Sequence, residues 1–208
     1  MTTVTFIRHG ESEANVYNYQ KSINKNIEKI ELLDSPLTNN GRKQATKLQK
    51  YTKNFKFDGI FVSPLIRACE TASIAFADQD VHFCLKRCCR ELQHDTEECQ
   101  GRLADDLVNG THDGKLNYRP ALKNLSGGFQ KFYNLEKIKN WSKRWNNIKS
   151  PKQDENISNL NKLMKLILQN KGKHVCVVCH GSVIKSITGL TPTNCAMIQT
   201  EIDCVDNK

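Results

Sequence analysis

Segments typical of β-strands alternate with segments typical of α-helices along most of this chain. Runs rich in β-branched and aromatic residues predict strands, and they lie at residues 2–8, 58–63, 81–85, 174–179 and, more loosely, 195–205. Helix-compatible segments lie between or after them, at residues 11–23, 38–51, 65–77, 155–169 and 181–188. This alternation predicts an α/β fold, a three-layer α/β/α sandwich with a mostly parallel central sheet.

The length of the chain fits one domain with an inserted segment. Its 208 residues can bury a substantial core, and we expect a single domain over residues 1–208. Residues 95–150 show weak periodicity, so we expect an insertion or lid there that is partly helical near Trp141 and Trp145.

The chain carries a formal net charge of +9. Its lysines are scattered rather than clustered, so the excess is in part a matter of composition. A positive surface also attracts small anions such as phosphate esters. No basic block interleaved with aromatic residues occurs, which makes nucleic acid an unlikely partner.

The apolar content of the chain gives no sign of a membrane protein. No stretch of 18 apolar residues occurs, and the first residues lack the features of a secretory signal. We therefore expect a cytoplasmic location and no membrane partner. The nine cysteines are then expected to be reduced thiols that are mostly buried.

Two histidines each follow a predicted strand, and each precedes a glycine. His9 lies between Arg8 and Gly10, and His180 precedes Gly181. Ligands bind at the carboxyl ends of parallel strands, so both histidines are expected at one site. The glycines allow the backbone to turn sharply there.

A third candidate lies at the start of a predicted helix. Arg67 falls in the first turn of the helix that follows the strand at 58–63, where a helix N-terminus favours anions. Taken singly, each candidate has an ordinary explanation, such as a buried core histidine or a surface cation. Their joint placement after three strands favours an anion-binding site.

These motifs resemble those of a known enzyme family. The matching segments are Arg8-His9-Gly10-Glu11-Ser12 with Asn15, the stretch from Asp34 to Ala45, the stretch from Ser63 to Ala72, and Val177-Val178-Cys179-His180-Gly181. In this order they resemble the histidine phosphatase superfamily, the phosphoglycerate mutase-like proteins, over residues 2–190. The resemblance implies the phosphoglycerate mutase-like fold with an inserted, partly helical segment.

The resemblance also implies a role for each matched residue. His9 would be the nucleophile that forms a phosphohistidine, and Glu91 the acid–base carboxylate. Arg8, Arg67 and His180 would hold the phosphate, assisted by Asn15. Further candidates for phosphate or substrate binding are Ser12, Gly181 and Arg102.

The chemistry of these side chains suits phosphoryl transfer without a metal or another cofactor. Two arginines and a second, protonated histidine can balance the charge of a phosphoryl group. A carboxylic acid must still protonate the leaving oxygen, so Glu91 is expected to have a raised pKa. Glu97 and Glu98 remain alternatives for this role, because both lie nearby in sequence.

Two cysteine patterns suggest other chemistry and are set aside. Residues 176–180 match the c-type haem attachment pattern, but thiols three apart on a strand point to opposite faces. Four cysteines near residue 90 have no familiar zinc-binding spacing; they are Cys84, Cys88, Cys89 and Cys99.

The sequence favours a phosphatase over a mutase. Family mutases carry tyrosine, glycine and lysine at the positions of His94, Asp95 and Arg102, and asparagine at the position of Ser182. We therefore predict a phosphomonoester hydrolase of unknown substrate, with phosphoglycerate mutase-type transfer as the alternative. A second alternative is a non-catalytic or nucleic-acid-associated protein on the same fold. A small phosphorylated substrate is the expected partner, and a homodimer is compatible with the resemblance.

Overall fold

A computed structural model describes residues 1–28, 30–92, 97–99, 101, 104–109, 125, 132–133 and 153–203. In these residues six strands form one sheet, in the order β4-β3-β2-β5-β1-β6. The strands are β1 (Thr2–Arg8), β2 (Gly59–Val62), β3 (Phe83–Leu85), β4 (Phe132–Tyr133), β5 (His174–Cys179) and β6 (Met197–Ile202). Neighbouring strands are parallel, except that β6 pairs antiparallel with β1 at one edge. The predicted mostly parallel sheet and its edge strand are confirmed.

Helices lie on both sides of this sheet. They are α1 (Glu13–Ile23), α2 (Asn39–Thr52), α3 (Ile66–Ala75), α4 (Ala104–Asn109), α5 (Gln153–Leu168) and α6 (Gly181–Thr188). Two 3₁₀ turns follow β3, at Arg87–Cys89 and Glu97–Cys99. None of the helices in the described ranges is long and apolar enough to cross a membrane.

Alternation along β5 divides the core between the two faces of the sheet. Cys176 and Val178 belong to the cluster that contains the buried face of α3. Val177 and Cys179 belong to the opposite cluster, which contains residues of α5 and α6. Successive side chains of a strand point to opposite faces, so the three-layer arrangement follows directly. It also separates Cys176 from Cys179, as predicted from their spacing.

The 34–45 motif holds α3 in place. Asp34 accepts a hydrogen bond from the backbone N–H of Ile66 at 2.8 Å, which satisfies a donor in the first turn of α3. Glu70, in the middle of α3, accepts one from the backbone N–H of Leu37 at 2.8 Å and pairs with Arg42 at 2.8 Å. Because α3 carries Arg67, these contacts fix a residue of the candidate site.

Two local features differ from the sequence expectations. The first helix begins at Glu13 rather than at residue 11, because Ser12 caps it in a capping box with Asn15. The segment 95–150 also contributes the strand β4, which was not predicted. A strand of two residues has no periodicity of its own, and here it is defined by its pairing with β3. The expected helix near Trp141 and Trp145 lies outside the described residues.

Candidate active site

Strand register brings the two histidines together. Arg8 at the end of β1 lies opposite Cys179 at the end of β5, so the next residues, His9 and His180, are neighbours. Their ring centroids lie 5.0 Å apart with planes inclined by 60°. Both side chains are buried, His9 with 2% and His180 with 0% of its surface exposed. The parallel sheet thus builds the paired histidines that the sequence predicted.

The hydrogen bonds of His9 assign its tautomer. Its Nδ1 lies 2.7 Å from the carbonyl oxygen of Gly10, which can only accept, so Nδ1 carries the proton. Its Nε2 accepts from Nε of Arg67 at 3.3 Å. Burial and the nearby charge of Arg67 lower the pKa of His9 well below its usual range. His9 is therefore neutral, with its lone pair on Nε2.

Close backbone packing fixes the loop that carries His9. The backbone N–H of Gly10 donates to the Thr71 hydroxyl at 3.0 Å. A Cβ at position 10 would lie 2.6 Å from the carbonyl oxygen of Gly41. Only glycine lets these two segments approach this closely. The glycine after the first histidine thus allows a close approach to the backbone of Gly41, which the sequence did not indicate.

Two arginines flank His9. Arg67 is buried, and its guanidinium also donates to the carbonyl oxygen of Glu98 at 2.7 Å. Arg8 donates to the carbonyl oxygen of Pro192 at 2.7 Å, while its buried Nε has no hydrogen-bond partner among the described residues. Burial lowers the pKa of Arg8, although a guanidinium stays charged at neutral pH. Each arginine is held by one carbonyl and keeps further N–H groups for an anion.

Gly181 keeps the first turn of α6 close to Arg8. A Cβ added at this glycine would lie 3.4 Å from Nε of Arg8. A larger side chain here would crowd the guanidinium. The glycine after the second histidine therefore leaves room for the guanidinium of Arg8, at the end of β1.

His180 lies behind the site rather than on its surface. Its Nε2 is 2.7 Å from Oγ of Ser63, and its Nδ1 has no hydrogen-bond partner in the part of the chain that the structure describes. Burial, together with the charge of Arg67 and the neighbouring His9, lowers the pKa of His180 well below its usual range. Burial and surrounding positive charge thus both oppose the protonated ring that the sequence led us to expect when phosphate is bound, and that expectation stays a prediction.

Two carboxylates reach the same cavity. Burial raises the pKa of Glu91, against the opposing effects of Arg67 and Arg8 and of hydrogen bonds from the Leu92 backbone and Ser182. Glu98 accepts a hydrogen bond from Asn18 at 3.0 Å. Glu91 therefore shows the raised pKa that an acid catalyst needs.

Residues near the start of α1 form another wall. Ser12 and Asn15 exchange hydrogen bonds of 3.3 and 3.2 Å across the helix start. Oδ1 of Asn15 also accepts from Asn194, whose amide in addition donates to the carbonyl oxygen of His9, each at 3.1 Å. These bonds use the oxygen of Asn15 and leave its amide NH₂ to face an anion.

A polar cavity of about 330 Å³ opens above these groups. Its described lining is Arg8, His9, Ser12, Ala14, Asn15, Asn18, Arg67, Glu91, Glu98, Cys99, Gly181, Ser182, Lys185, Thr191 and Pro192. Seven of the residues proposed from sequence lie in this lining, whereas His180 lies beneath it. Arg102 lies outside the described residues, as do His94 and Asp95.

Sequence reasoning missed several residues of the site. Lys185 lies four residues after Gly181 and three after Ser182, on one face of α6, so its position could have been inferred. Ser182, considered from the sequence only as a difference from family mutases, also lines the cavity. Asn194 lies in the loop before β6 and had no sequence signal. Arg90 is buried and donates to the carbonyl oxygen of Cys99 at 2.6 Å, and burial lowers its pKa to about 10. It fastens the turn at 97–99 to the segment that carries Glu91.

The described residues contain no group of three or more histidine, cysteine, aspartate or glutamate side chains that could hold a metal ion.

A mostly parallel sheet whose strand ends carry paired histidines and arginines defines a phosphoglycerate mutase-like α/β protein. The chain belongs to the histidine phosphatase superfamily (branch 1), whose family model matches residues 4–118.

Curated relatives are similar to part of the chain. The uncharacterized phosphatase PhoE of Bacillus subtilis (strain 168) is 40% identical over 74 residues, which cover 36% of this chain and 34% of PhoE. Fructose-2,6-bisphosphatase TIGAR B of Danio rerio is 37% identical over 71 residues, which cover 34% of this chain and 24% of that protein. The chain therefore spans about a third or less of the length of these relatives.

Solved structures are similar over nearly the whole chain. Phosphoserine phosphatase from Entamoeba histolytica, in complex with 3-phosphoglyceric acid, is 28% identical with a TM-score of 0.51, covering 96% of this chain and 90% of that one. The alpha-ribazole phosphatase from Shigella flexneri shares the fold, with a TM-score of 0.59 at 17% identity, covering 97% of this chain and 91% of that one.

Proposed function

We propose that this protein is a phosphatase that hydrolyses small phosphomonoesters through a phosphohistidine on Nε2 of His9. The observation that carries the proposal is the tautomer of His9. Its Nδ1 proton is committed to Gly10, and its unprotonated Nε2 lies beside Arg67 at the base of a polar cavity. The names of PhoE and of the Entamoeba histolytica enzyme, both phosphatases, support the same activity.

In the first step, Nε2 of His9 attacks phosphorus in line with the ester oxygen. The N–P bond forms while the P–O bond to the leaving group breaks, and the leaving oxygen takes a proton from Glu91. Arg8 and Arg67 bind the phosphoryl oxygens. The hydrogen bond from Arg67 to His9 is replaced by a hydrogen bond from Arg67 to a phosphoryl oxygen. Because phosphoryl transfer depends mainly on positioning and charge balance, these two cations do most of the stabilisation.

In the second step, water attacks the phosphohistidine. Glu91, now ionised, accepts a proton from this water as the N–P bond breaks. Orthophosphate leaves, and His9 recovers its neutral form with Nδ1–H still bonded to Gly10. The same carboxylate thus acts first as acid and then as base.

His180 contributes from behind the site. Within the described ranges its Nδ1 has no hydrogen-bond partner. An adjacent phosphoryl dianion would favour a proton there, because an opposite charge raises a histidine pKa. We propose that His180 is neutral before substrate binds and gains its charge with the dianion.

Small phosphorylated carboxylic acids are the first substrates to test. The relative from Entamoeba histolytica is named a phosphoserine phosphatase and was solved with 3-phosphoglyceric acid. A cavity of about 330 Å³ lies at the lower end of the range for small-molecule sites. Mutase activity, a homodimer and a cytoplasmic location stay predictions.

Hydrolysis of p-nitrophenyl phosphate in the presence of EDTA tests the proposal. We expect turnover by the wild type and a loss of at least about 10³-fold in His9→Ala. His82→Ala, which alters an exposed histidine, serves as the matched control and should retain full activity. Turnover that EDTA abolishes, or that survives in His9→Ala, would contradict the mechanism.

A further inference from the structure

Lys185 occupies the outer wall of the cavity. It lies on α6, where Gly181, Ser182 and Lys185 all line the cavity. Lys185 is four residues after Gly181 and three after Ser182, so it lies on the helix face that carries these two residues. Lys185 is itself exposed, and it has no carboxylate partner within the part of the chain that the structure describes.

The helix places this lysine at a defined height above the phosphate groups. Gly181 lies close to the guanidinium of Arg8, and Lys185 lies four residues further along α6, about 6 Å away along the helix axis. Its flexible four-carbon side chain can lean back over the cavity. An anionic group a few bonds from the ester oxygen would therefore come within its reach.

Lys185 is the cationic residue of the described cavity lining that the phosphate and the proposed mechanism do not use. Arg8 and Arg67 lie beside His9, where they balance a phosphoryl dianion. Glu91 is needed in the protonated form for the first step, and Glu98 is held by Asn18. A substrate that carries only a phosphate leaves the ammonium of Lys185 without a partner.

We infer that Lys185 binds the carboxylate of the substrate, which is a phosphate ester of a short hydroxy acid. The inference rests on the proposed phosphatase function and assigns the substrate class for that same cavity. Lys185 contacts the part of the substrate remote from phosphorus, so it determines specificity rather than driving the chemical step. Its contribution is to binding, which raises KM when it is lost and leaves kcat unchanged.

A matched pair of substrates isolates this contact. 3-Phosphoglycerate and glycerol 3-phosphate differ in whether the far carbon is a carboxylate or an alcohol. In Lys185→Gln we expect kcat/KM for 3-phosphoglycerate to fall about three- to tenfold through KM, the effect of one partly exposed charge pair. Glycerol 3-phosphate should change less than about twofold, and Lys185→Arg should restore most of the loss because it keeps the charge.

Lys47→Gln is the control for the change in net charge, because Lys47 is an exposed lysine of α2 that does not line this cavity. It should leave both substrates unaffected. Equal losses on both substrates, no loss on either, or a wild type that turns over p-nitrophenyl phosphate but not 3-phosphoglycerate would each overturn the inference while leaving the phosphatase function intact. A wild type without His9-dependent activity on any ester would instead refute the proposed function itself.

Discussion

At the scale of single residues, the site depends on which nitrogen of His9 holds a proton. The carbonyl oxygen of Gly10 accepts a hydrogen bond from Nδ1, and Arg67 donates one to Nε2, so the proton lies on Nδ1. Burial keeps the ring neutral. In the proposed mechanism, His9 therefore needs no general base to remove a proton before it attacks.

The raised pKa of Glu91 predicts a defined pH window for the proposed phosphorylation step. Attack requires neutral His9, so the rate should fall as pH drops through the lowered pKa of that ring. Protonation of an alkyl leaving group requires acidic Glu91, so the rate should also fall as pH rises through its raised pKa. Single-turnover rates with an alkyl phosphate measure both limbs. A Glu91→Gln variant that kept the alkaline limb would contradict the assignment.

Glu91→Gln should also trap the intermediate. p-Nitrophenolate leaves without a proton, so the variant can still phosphorylate His9, but it lacks the base for hydrolysis. We expect a rapid burst of p-nitrophenol followed by turnover about 10²–10⁴-fold slower than in the wild type. Glu98→Gln is the matched control, and a burst in that variant instead would assign the acid–base role to Glu98.

Gly10 is expected to tolerate no side chain. In Gly10→Ala the new Cβ would meet the carbonyl oxygen of Gly41 at 2.6 Å, and this neighbour is backbone that cannot rotate away. We expect a lower urea midpoint together with a displaced His9 and reduced kcat. Gly59→Ala is the control, since the contact there is an ordinary 3.5 Å to a side chain. Full activity and stability in Gly10→Ala would show that the loop can relax.

At the scale of elements, the long 34–45 motif serves α3 rather than the substrate directly. Asp34 caps its first turn, and Arg42 balances Glu70 in its middle. Burial raises the pKa of Glu70 even with Arg42 present. The motif therefore controls where Arg67 stands.

Arg42→Ala should destabilise the fold because it leaves the buried carboxylate of Glu70 without its cation. Arg42 is partly exposed, so we expect a loss of about 1–2 kcal/mol in the free energy of unfolding. The loss should grow as pH rises through the raised folded-state pKa of Glu70, since ionisation then favours the unfolded chain. Urea unfolding at several pH values measures this, and Glu70→Gln added to Arg42→Ala should recover part of it. A loss that shrank with increasing pH would contradict this account.

Sequence patterns predicted the strands and helices that bury one face in the core, because burial repeats apolar residues at regular spacing. The strand at 174–179 and the helix at 155–169 are strongly patterned because each packs against a core cluster. The strand β4 has two residues and is defined by its pairing with β3, so no local sequence pattern could predict it. Likewise Asn194 and Arg90 donate hydrogen bonds to backbone carbonyl oxygens of other segments. Such bonds produce no periodic pattern in a sequence, so these residues could not be predicted.

At the scale of the whole molecule, the parallel sheet gathers residues that are far apart in sequence. His9, Arg67, Glu91 and Gly181 meet because β1, β2, β3 and β5 run in one direction and their carboxyl ends share one edge. The meeting of the two histidines was predictable at this scale, because residues at the carboxyl ends of parallel strands lie at the same edge of a sheet. The lowered pKa of His180 was not, because it depends on the burial and charge of the folded site.

Orthophosphate should stabilise the whole fold, because it binds the folded cavity and not the unfolded chain. At 100 times its Kd the gain is about 2.7 kcal/mol, which corresponds to a rise in Tm of roughly 5–10 °C for a chain of this size. Thermal unfolding with and without phosphate measures it. Arg67→Gln should lose most of the shift, whereas Lys47→Gln should keep it; an unchanged shift in Arg67→Gln would place the phosphate elsewhere.

The most direct test of the phosphohistidine is to trap it. Glu91→Gln mixed with an excess of p-nitrophenyl phosphate, then quenched in alkali and digested, should yield one phosphorylated peptide that contains residue 9. The label should be stable to alkali and labile to acid, as a phosphorus–nitrogen bond is, and His9→Ala should give none. Label on a serine, a cysteine or His180, or an equal label in His9→Ala, would contradict the account.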